Sequence, residues 1–250
     1  MTTAPAGRPA LRAPLLTGQT VVVIGGSAGI GLATGRLVRA EGADVILTAR
    51  NPERLEAAAR EVGAVKTAAF DATDGDALER FFDDLPQIDH VMVSGGGPYY
   101  APLAEMDFAE VRADIERHLV VSMRVARLAT GKVRPGGSLV FISGTGGRRR
   151  GVGLTLIGAL TAATPALTEN LAVEIAPIRV NLVAPGFVDT GLSASLLGEG
   201  LEARRDELRE RLPIRRVVGP EDVAALSVHL MSNTALTGGT YDIDGGQKLV

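Results

Sequence analysis

The chain has 250 residues, 46% hydrophobic and 22% charged, enough to bury a full core without covalent staples. It contains no cysteine, which excludes disulfides and thiolate metal sites and suits a reducing cytoplasm; no metal is expected. The net charge of −3 provides no basic field for nucleic acid. Residues 1–14, "MTTAPAGRPALRAP", lack the apolar run of a signal peptide and are expected to form a mobile tail, with one domain over 15–250.

Short Val/Ile-rich runs then alternate with helical patterns. "TVVVIG" (20–25), "DVILTA" (44–49), "AVKTAAF" (64–70), "HVMVS" (90–94), "SLVFIS" (138–143), "IRVNLVA" (178–184) and "TYDID" (240–244) predict strands. Several are apolar on both faces, as a covered sheet requires. Between them "GIGLATGRLVRAEG", "NPERLEAAAREVG", "DGDALERFFDDL", "DFAEVRADIERHLVVSMRVARLATG" and "PEDVAALSVHLMS" have helical spacing, with starts at Asn51-Pro52, Asp74 and Gly219-Pro220. The alternation predicts an α/β, single-domain, Rossmann-type doubly wound parallel sheet flanked by helices. Residues 189–215 read as an irregular insert and a candidate lid. Gly151–Thr168 is uncharged, yet its glycines, threonines and Pro165 favour a packed internal helix over a membrane span. Pro165 predicts a kink there rather than a break.

The first strand leads into Gly25, Ser27, Ala28, Gly29, Ile30 and Gly31, then a helix. Small residues at such a turn let backbone approach a pyrophosphate at a helix N-terminus; a structural turn is the plainer alternative. The second strand ends at Ala49-Arg50, where an NAD site carries a carboxylate. A guanidinium there suits a 2′-phosphate, so NADP (NADPH over NADH) is the expected cofactor; otherwise Arg50 is a solvated charge.

These residues resemble the short-chain dehydrogenase/reductase family over about 18–248. Gly25–Gly31 matches its glycine motif, with Ile24 where Thr is common. "FDATD" matches the stretch that places Asp71 and Ala72 beside the adenine. Val93-Ser94-Gly95-Gly96 occupies the Asn-Asn-Ala-Gly motif without its asparagines, which puts Gly95 and Gly96 at the cofactor. "RVNLVAPGFVDT" matches the segment along the nicotinamide, through Pro185, Gly186, Val188 and Thr190. "TGGTYDIDGG" matches the C-terminal strand.

The same register places Ile157 at the family's catalytic Tyr, Thr161 at its Lys, Gly144 at its Ser and His118 at its Asn. In the family the Tyr phenol moves the proton, the Lys lowers its pKa and the Ser polarises the carbonyl. Ile157 and Thr161 do neither job. His118 is the candidate substitute, because imidazole titrates near neutrality; a packed core histidine is the alternative. Ser143 is a candidate catalytic hydroxyl, and Thr145 a candidate substrate contact; both otherwise close a strand end. Tyr99, Tyr100 and Arg148 are candidate substrate contacts. Against them stand apolar lining for the tyrosines and a solvated run for Arg148-Arg149-Arg150.

The expected function is an NADP(H)-binding oxidoreductase of a small carbonyl or alcohol substrate with an atypical proton donor. The alternative is a dinucleotide-binding protein without turnover, a redox sensor or silent subunit. A third reading, a dehydration or cyclisation without net redox, has little support in the residues. Gly158, Ala159, Ala162 and Ala163 suit close packing, so a homodimer or tetramer is expected, with a hetero-oligomer as alternative and no nucleic-acid or membrane partner.

Overall fold

A computed structural model describes residues 13–250; residues 1–12 of the expected tail lie outside the described residues. Seven strands form one all-parallel sheet: β1 (Thr20–Ile24), β2 (Asp44–Ala49), β3 (Lys66–Ala69), β4 (Ile88–Val93), β5 (Val133–Ile142), β6 (Arg179–Pro185) and β7 (Thr240–Ile243). Their order is β3-β2-β1-β4-β5-β6-β7. Chain progression reverses between β1 and β4, so a crevice opens at the carboxyl ends of those two strands.

The helices are α1 (Gly29–Ala40), α2 (Pro52–Val62), α3 (Gly75–Asp83), α4 (Phe108–Ile115), α5 (Val121–Ala129), α6 (Thr155–Glu174), α7 (Gly191–Leu197), α8 (Leu201–Arg211) and α9 (Pro220–Ser232). The period of two along each strand divides the core. Val22 and Ile24 join Leu78, Phe82, Val125 and Leu171 from α3, α5 and α6 on one face. Val21 and Val23 join Val38, Leu55 and Val228 from α1, α2 and α9 on the other. The anticipated helix starts are capped: Asn51 Oδ1 accepts from Arg54 N–H at 2.8 Å and Asp74 Oδ1 from Ala77 N–H at 3.0 Å. Gly219 precedes Pro220 at the first position of α9, and its N–H donates to Asp222 Oδ2 at 2.9 Å.

Three elements differ from expectation. β5 begins at Val133, five residues early, with a register irregularity where it meets β4. The insert after β6 is helical, as α7 and α8, rather than irregular. The long helix over 108–129 contains a widened, π-type turn at Glu116–Val120. α6 runs unbroken through Pro165. Proline cannot donate to the Thr161 carbonyl four residues back, and the Thr164 hydroxyl does so instead at 3.2 Å. By length and composition α6 is the one helix among the described residues that could cross a membrane. In the fold it lies on β6, with Leu156, Ile157, Leu160 and Leu171 buried.

His90 on β4 carries a pH dependence. It is buried between Ser138 Oγ, 2.8 Å from Nδ1, and Gln19 Oε1, 2.6 Å from Nε2. Burial pushes its pKa from 6.5 down to about 4. Between those values the unfolded chain binds a proton that the folded chain refuses. Native stability is therefore expected to fall by about 3 kcal/mol as pH drops through that window. Urea midpoints measured across it, in wild type and His90→Gln, check this; the variant should show a flatter profile.

Candidate active site

The glycine loop between β1 and α1 sits at the switch point and is packed against the end of β4. A Cβ on Gly25 would lie 1.5 Å from the Ser94 carbonyl oxygen, and one on Gly31 2.2 Å from that of Gly25. Gly25 also takes a positive φ of 87°. No side chain caps α1, and its first turn carries no acidic residue. The first-turn N–H groups and the positive end of the helix dipole thus face the crevice without an internal carboxylate. Gly95 and Gly96 are exposed just past β4, and a Cβ on Gly95 would meet nothing within 4 Å.

Ser27, Ala28 and Ile30 complete the loop. Arg50 follows β2 and is largely exposed, 3.9 Å from Asp71 Oδ2. Asp71 Oδ1 accepts from Thr73 N–H and Oγ1–H at 2.9 and 2.8 Å. Burial alone would raise the Asp71 pKa; the Thr73 hydrogen bonds and the Arg50 charge outweigh it and lower it. Ala72 packs at the edge of the core beside them.

On the other side of the crevice, Thr190 lies 3.6 Å from a Cβ placed on Gly29. Its hydroxyl caps α7 by accepting from Ser193 N–H at 3.4 Å. Pro185 and Val188 are buried, and Gly186 is pressed against Asp244 and Gln247. Gln247 Oε1 accepts from Phe187 N–H at 2.9 Å. This brace from the far end of the chain was missed in the sequence, because it depends on a contact 60 residues distant. α7 reaches across the crevice, where Leu192 lies 3.0 Å from a Cβ placed on Gly97. Arg205 of α8 ties the segment back to Asp189 at 2.6 Å.

The residues at the end of β5 meet α6. A Cβ on Gly144 would lie 3.7 Å from Thr161 Cγ2; one on Gly146 would lie 3.2 Å from Thr161 Oγ1 and 3.8 Å from Ile157 Cγ1. The register inferred from sequence therefore brings Gly144, Ile157 and Thr161 together. Ile157 and Thr161 are buried, and Thr161 Oγ1–H is spent on the Ile157 carbonyl at 2.7 Å. A cavity of about 200 Å³ lies beside Thr161, bounded by Gly147, Ala162 and Thr240. A larger hollow of about 370 Å³ near Gly131, Val133 and Ile178 lies at the opposite ends of the strands, away from the cradle.

Several expected contacts are placed differently. Ser143 Oγ is 2.8 Å from Thr164 Oγ1, whose single proton goes to the Thr161 carbonyl; Ser143 thus donates into α6 instead of toward a substrate. Arg148 is paired with Asp242, which also holds Lys248 on the same oxygen, so its guanidinium is engaged within the protein. The Tyr99 hydroxyl accepts from Asp107 N–H at 2.9 Å, at the start of α4. Tyr100 is 51% exposed on the loop after β4, and Thr145 is buried with its N–H on the Pro185 carbonyl at 3.0 Å.

His118 lies at the centre of the widened turn, which packs against α6. Its Nδ1 is 3.0 Å from the Asp114 carbonyl and 3.2 Å from Asp114 Oδ1. Both are acceptors, so Nδ1 carries a proton in either charge state, and the exchangeable proton belongs to Nε2. The Asp114 side chain is completely buried. Burial would raise its pKa; hydrogen bonds from His118, Tyr99 N–H and Arg117 together lower it. For His118, burial would lower the pKa, and the Asp114 hydrogen bonds more than reverse that, leaving it above 6.5. Asp114 was missed by sequence reasoning; its position four residues before His118, on one helix face, is the signal that could have found it.

The family model described as Enoyl-(Acyl carrier protein) reductase matches residues 13–248. Carbonyl reductase family member 4 of Xenopus tropicalis is 31% identical over 92% of this chain and 98% of its own length. The chain belongs to the short-chain dehydrogenase/reductase family. Among solved structures, the MalC Reductase/Diels-Alderase of Malbranchea aurantiaca superposes with a TM-score of 0.88 at 28% identity, covering 95% of this chain and 99% of that one. The structure of BdcA in complex with NADPH gives a TM-score of 0.83 at 28% identity, covering 92% and 95%. That homologue holds NADPH, and the present cradle fits a dinucleotide: the loop has no room for a Cβ at Gly25 or Gly31, and the α1 terminus lacks an internal anion.

Proposed function

We propose that the protein is an NADP(H)-dependent reductase of a carbonyl compound in which His118 supplies the proton. The carrying observation is the pairing of His118 with a fully buried Asp114 carboxylate at the helix turn that packs against α6. When bound, NADPH supplies a hydride to the carbonyl carbon. The loop 25–31 would hold its pyrophosphate, Arg50 its 2′-phosphate, Asp71 and Ala72 its adenine, and Gly95, Gly96 and residues 185–190 the remainder. His118 Nε2–H gives its proton to the carbonyl oxygen as the alcohol forms, and Asp114 stabilises the imidazolium beforehand. The raised pKa extends upward the pH range in which the donor carries its proton, so the rate falls as pH rises through it. A homodimer or tetramer built on the small residues of α6 belongs to the same reading.

His118→Ala is expected to reduce turnover roughly 10²–10⁴-fold with little change in NADPH affinity. NADPH oxidation over a panel of aldehydes and ketones, with calorimetry for binding, measures both. Full activity in the variant removes His118 from the chemistry.

The burial of Ile157 and Thr161 favours a second reading, dinucleotide binding without turnover. Tight NADPH binding with no oxidation across the panel would select it. The relative described as a reductase/Diels-Alderase adds a ring-forming role, whose signature is product formed at constant nicotinamide absorbance.

A further inference from the structure

The inference rests on the reading of His118 as proton donor. Two cations converge on one oxygen of one carboxylate. His118 Nδ1 lies 3.2 Å from Asp114 Oδ1, and Arg117 Nη2 lies 3.1 Å from the same atom. The other oxygen accepts from Tyr99 N–H at 3.2 Å. Asp114 is wholly buried, so water does not dilute the contest between its partners.

We propose that Arg117 is a positioning residue that, through Asp114, sets how readily His118 surrenders its proton. The cluster of carboxylate, guanidinium and imidazole has a net charge of +1 when His118 is protonated and zero when it is neutral. Giving up the proton relieves the repulsion between imidazolium and guanidinium. Asp114 alone would hold the proton tightly; Arg117, drawing on the same oxygen, loosens that hold.

The placement of Arg117 is constrained. Its stem rests on Gly96, with Cδ 3.3 Å from a Cβ placed there, and Nη2 is 3.7 Å from Glu110 Oε2. Its Nε is buried without a hydrogen-bond partner. The other groups around His118 are few. Glu116 on the same turn is paired with Arg124 at 2.9 Å. The loop after β4 brings the Tyr99 amide and Tyr100. The Asp71 carboxylate feels Arg117 from the end of β3. α6 contributes no charge to this face, since residues 155–168 contain no Asp, Glu, Lys, Arg or His. Arg117 is therefore the one like charge sharing a carboxylate with His118 among the described residues. Its support, Gly96, belongs to the same backbone assigned to the cofactor.

The test is a proton NMR titration of His118 in the full-length protein. The chain has three histidines, and His118→Asn assigns the resonance. Arg117→Gln is expected to raise the His118 midpoint by on the order of one pH unit, and Asp114→Asn to lower it by a similar amount. Arg117→Lys, which keeps the charge, should return the midpoint most of the way to wild type. A midpoint in Arg117→Gln equal to wild type overturns the proposal, as does a lysine variant that shifts as far as the glutamine one. Should Arg117→Gln fail to fold, Glu110→Gln on an exposed side chain takes its place. It leaves Arg117 with Asp114 alone and should lower the midpoint, and an unchanged midpoint overturns the proposal. The pH profile of carbonyl reduction in the same variants should move with the NMR midpoint. If the midpoint moves while the profile stays, the coupling stands and the assignment of His118 as donor fails.

Discussion

Replacing Arg179 with methionine is expected to destabilise the native protein by about 3–5 kcal/mol. Arg179 is 6% exposed at the start of β6, and its guanidinium meets backbone oxygens instead of a carboxylate. It donates to the carbonyls of Leu230 at 2.7 Å, Met231 at 2.6 Å, Asn233 at 3.1 Å, Leu236 at 3.0 Å and Gly136 at 3.3 Å. Leu230 and Met231 belong to the last turn of α9, whose carbonyls have no helical partner and carry the negative end of the dipole. Methionine fills much of the volume but leaves several buried acceptors empty, each worth about 1–3 kcal/mol. Lysine should recover only part of the loss, because one ammonium cannot span five acceptors. Urea midpoints at pH 7 read the effect. A methionine variant within about 1 kcal/mol of wild type would show that water replaces the guanidinium at little cost.

The second large effect is expected at Gly25. A methyl group there would sit 1.5 Å from a backbone oxygen of the β4 end, so the ends of β1 and β4 must separate. Gly25→Ala should cost about 1–3 kcal/mol of stability as overpacking. It should also weaken NADPH binding by more than about tenfold, because a loss of about 1.4 kcal/mol already does that. Gly131→Ala is the matched control: its Cβ would meet nothing within 4 Å, and its φ is not positive. Calorimetric titration of both with NADPH separates a crowded cradle from a general penalty on losing a glycine. Gly25→Ala binding as wild type does would mean that the loop is not the cradle.

Most strands were legible because a β-branched run meets a turn residue, and six of the seven appear within two residues of their expected bounds. The early start of β5 was hidden by Pro135-Gly136-Gly137, which reads as a turn. Gly136 instead takes a φ of 85° and carries the strand through an irregularity. α8 escaped notice for another reason. "LEARRDELRER" has almost no apolar stripe and is held by pairs along its own surface, Arg204–Glu207, Arg209–Asp206 and Arg211–Glu207.

Within the site, the glycine loop and the β5–α6 junction followed from spacing, since covalent register fixes both. Side-chain direction did not. Whether Ser143 faces a substrate or Thr164 depends on one rotamer. Whether Arg148 stays available depends on Asp242, 94 residues away. The i,i+4 spacing of Asp114 to His118 is a local signal, but the burial of that carboxylate beneath the loop after β4 is not.

The closeness of the 144–147 loop to α6 bears on what positions 157 and 161 can accept. A methyl on Gly147 would stand 2.9 Å from the Ala162 nitrogen, and Gly146 already rests on Ile157 and Thr161. Substitutions at 157 or 161 therefore share a junction with Gly146 and Gly147, and changes on the two sides are expected to be coupled rather than additive.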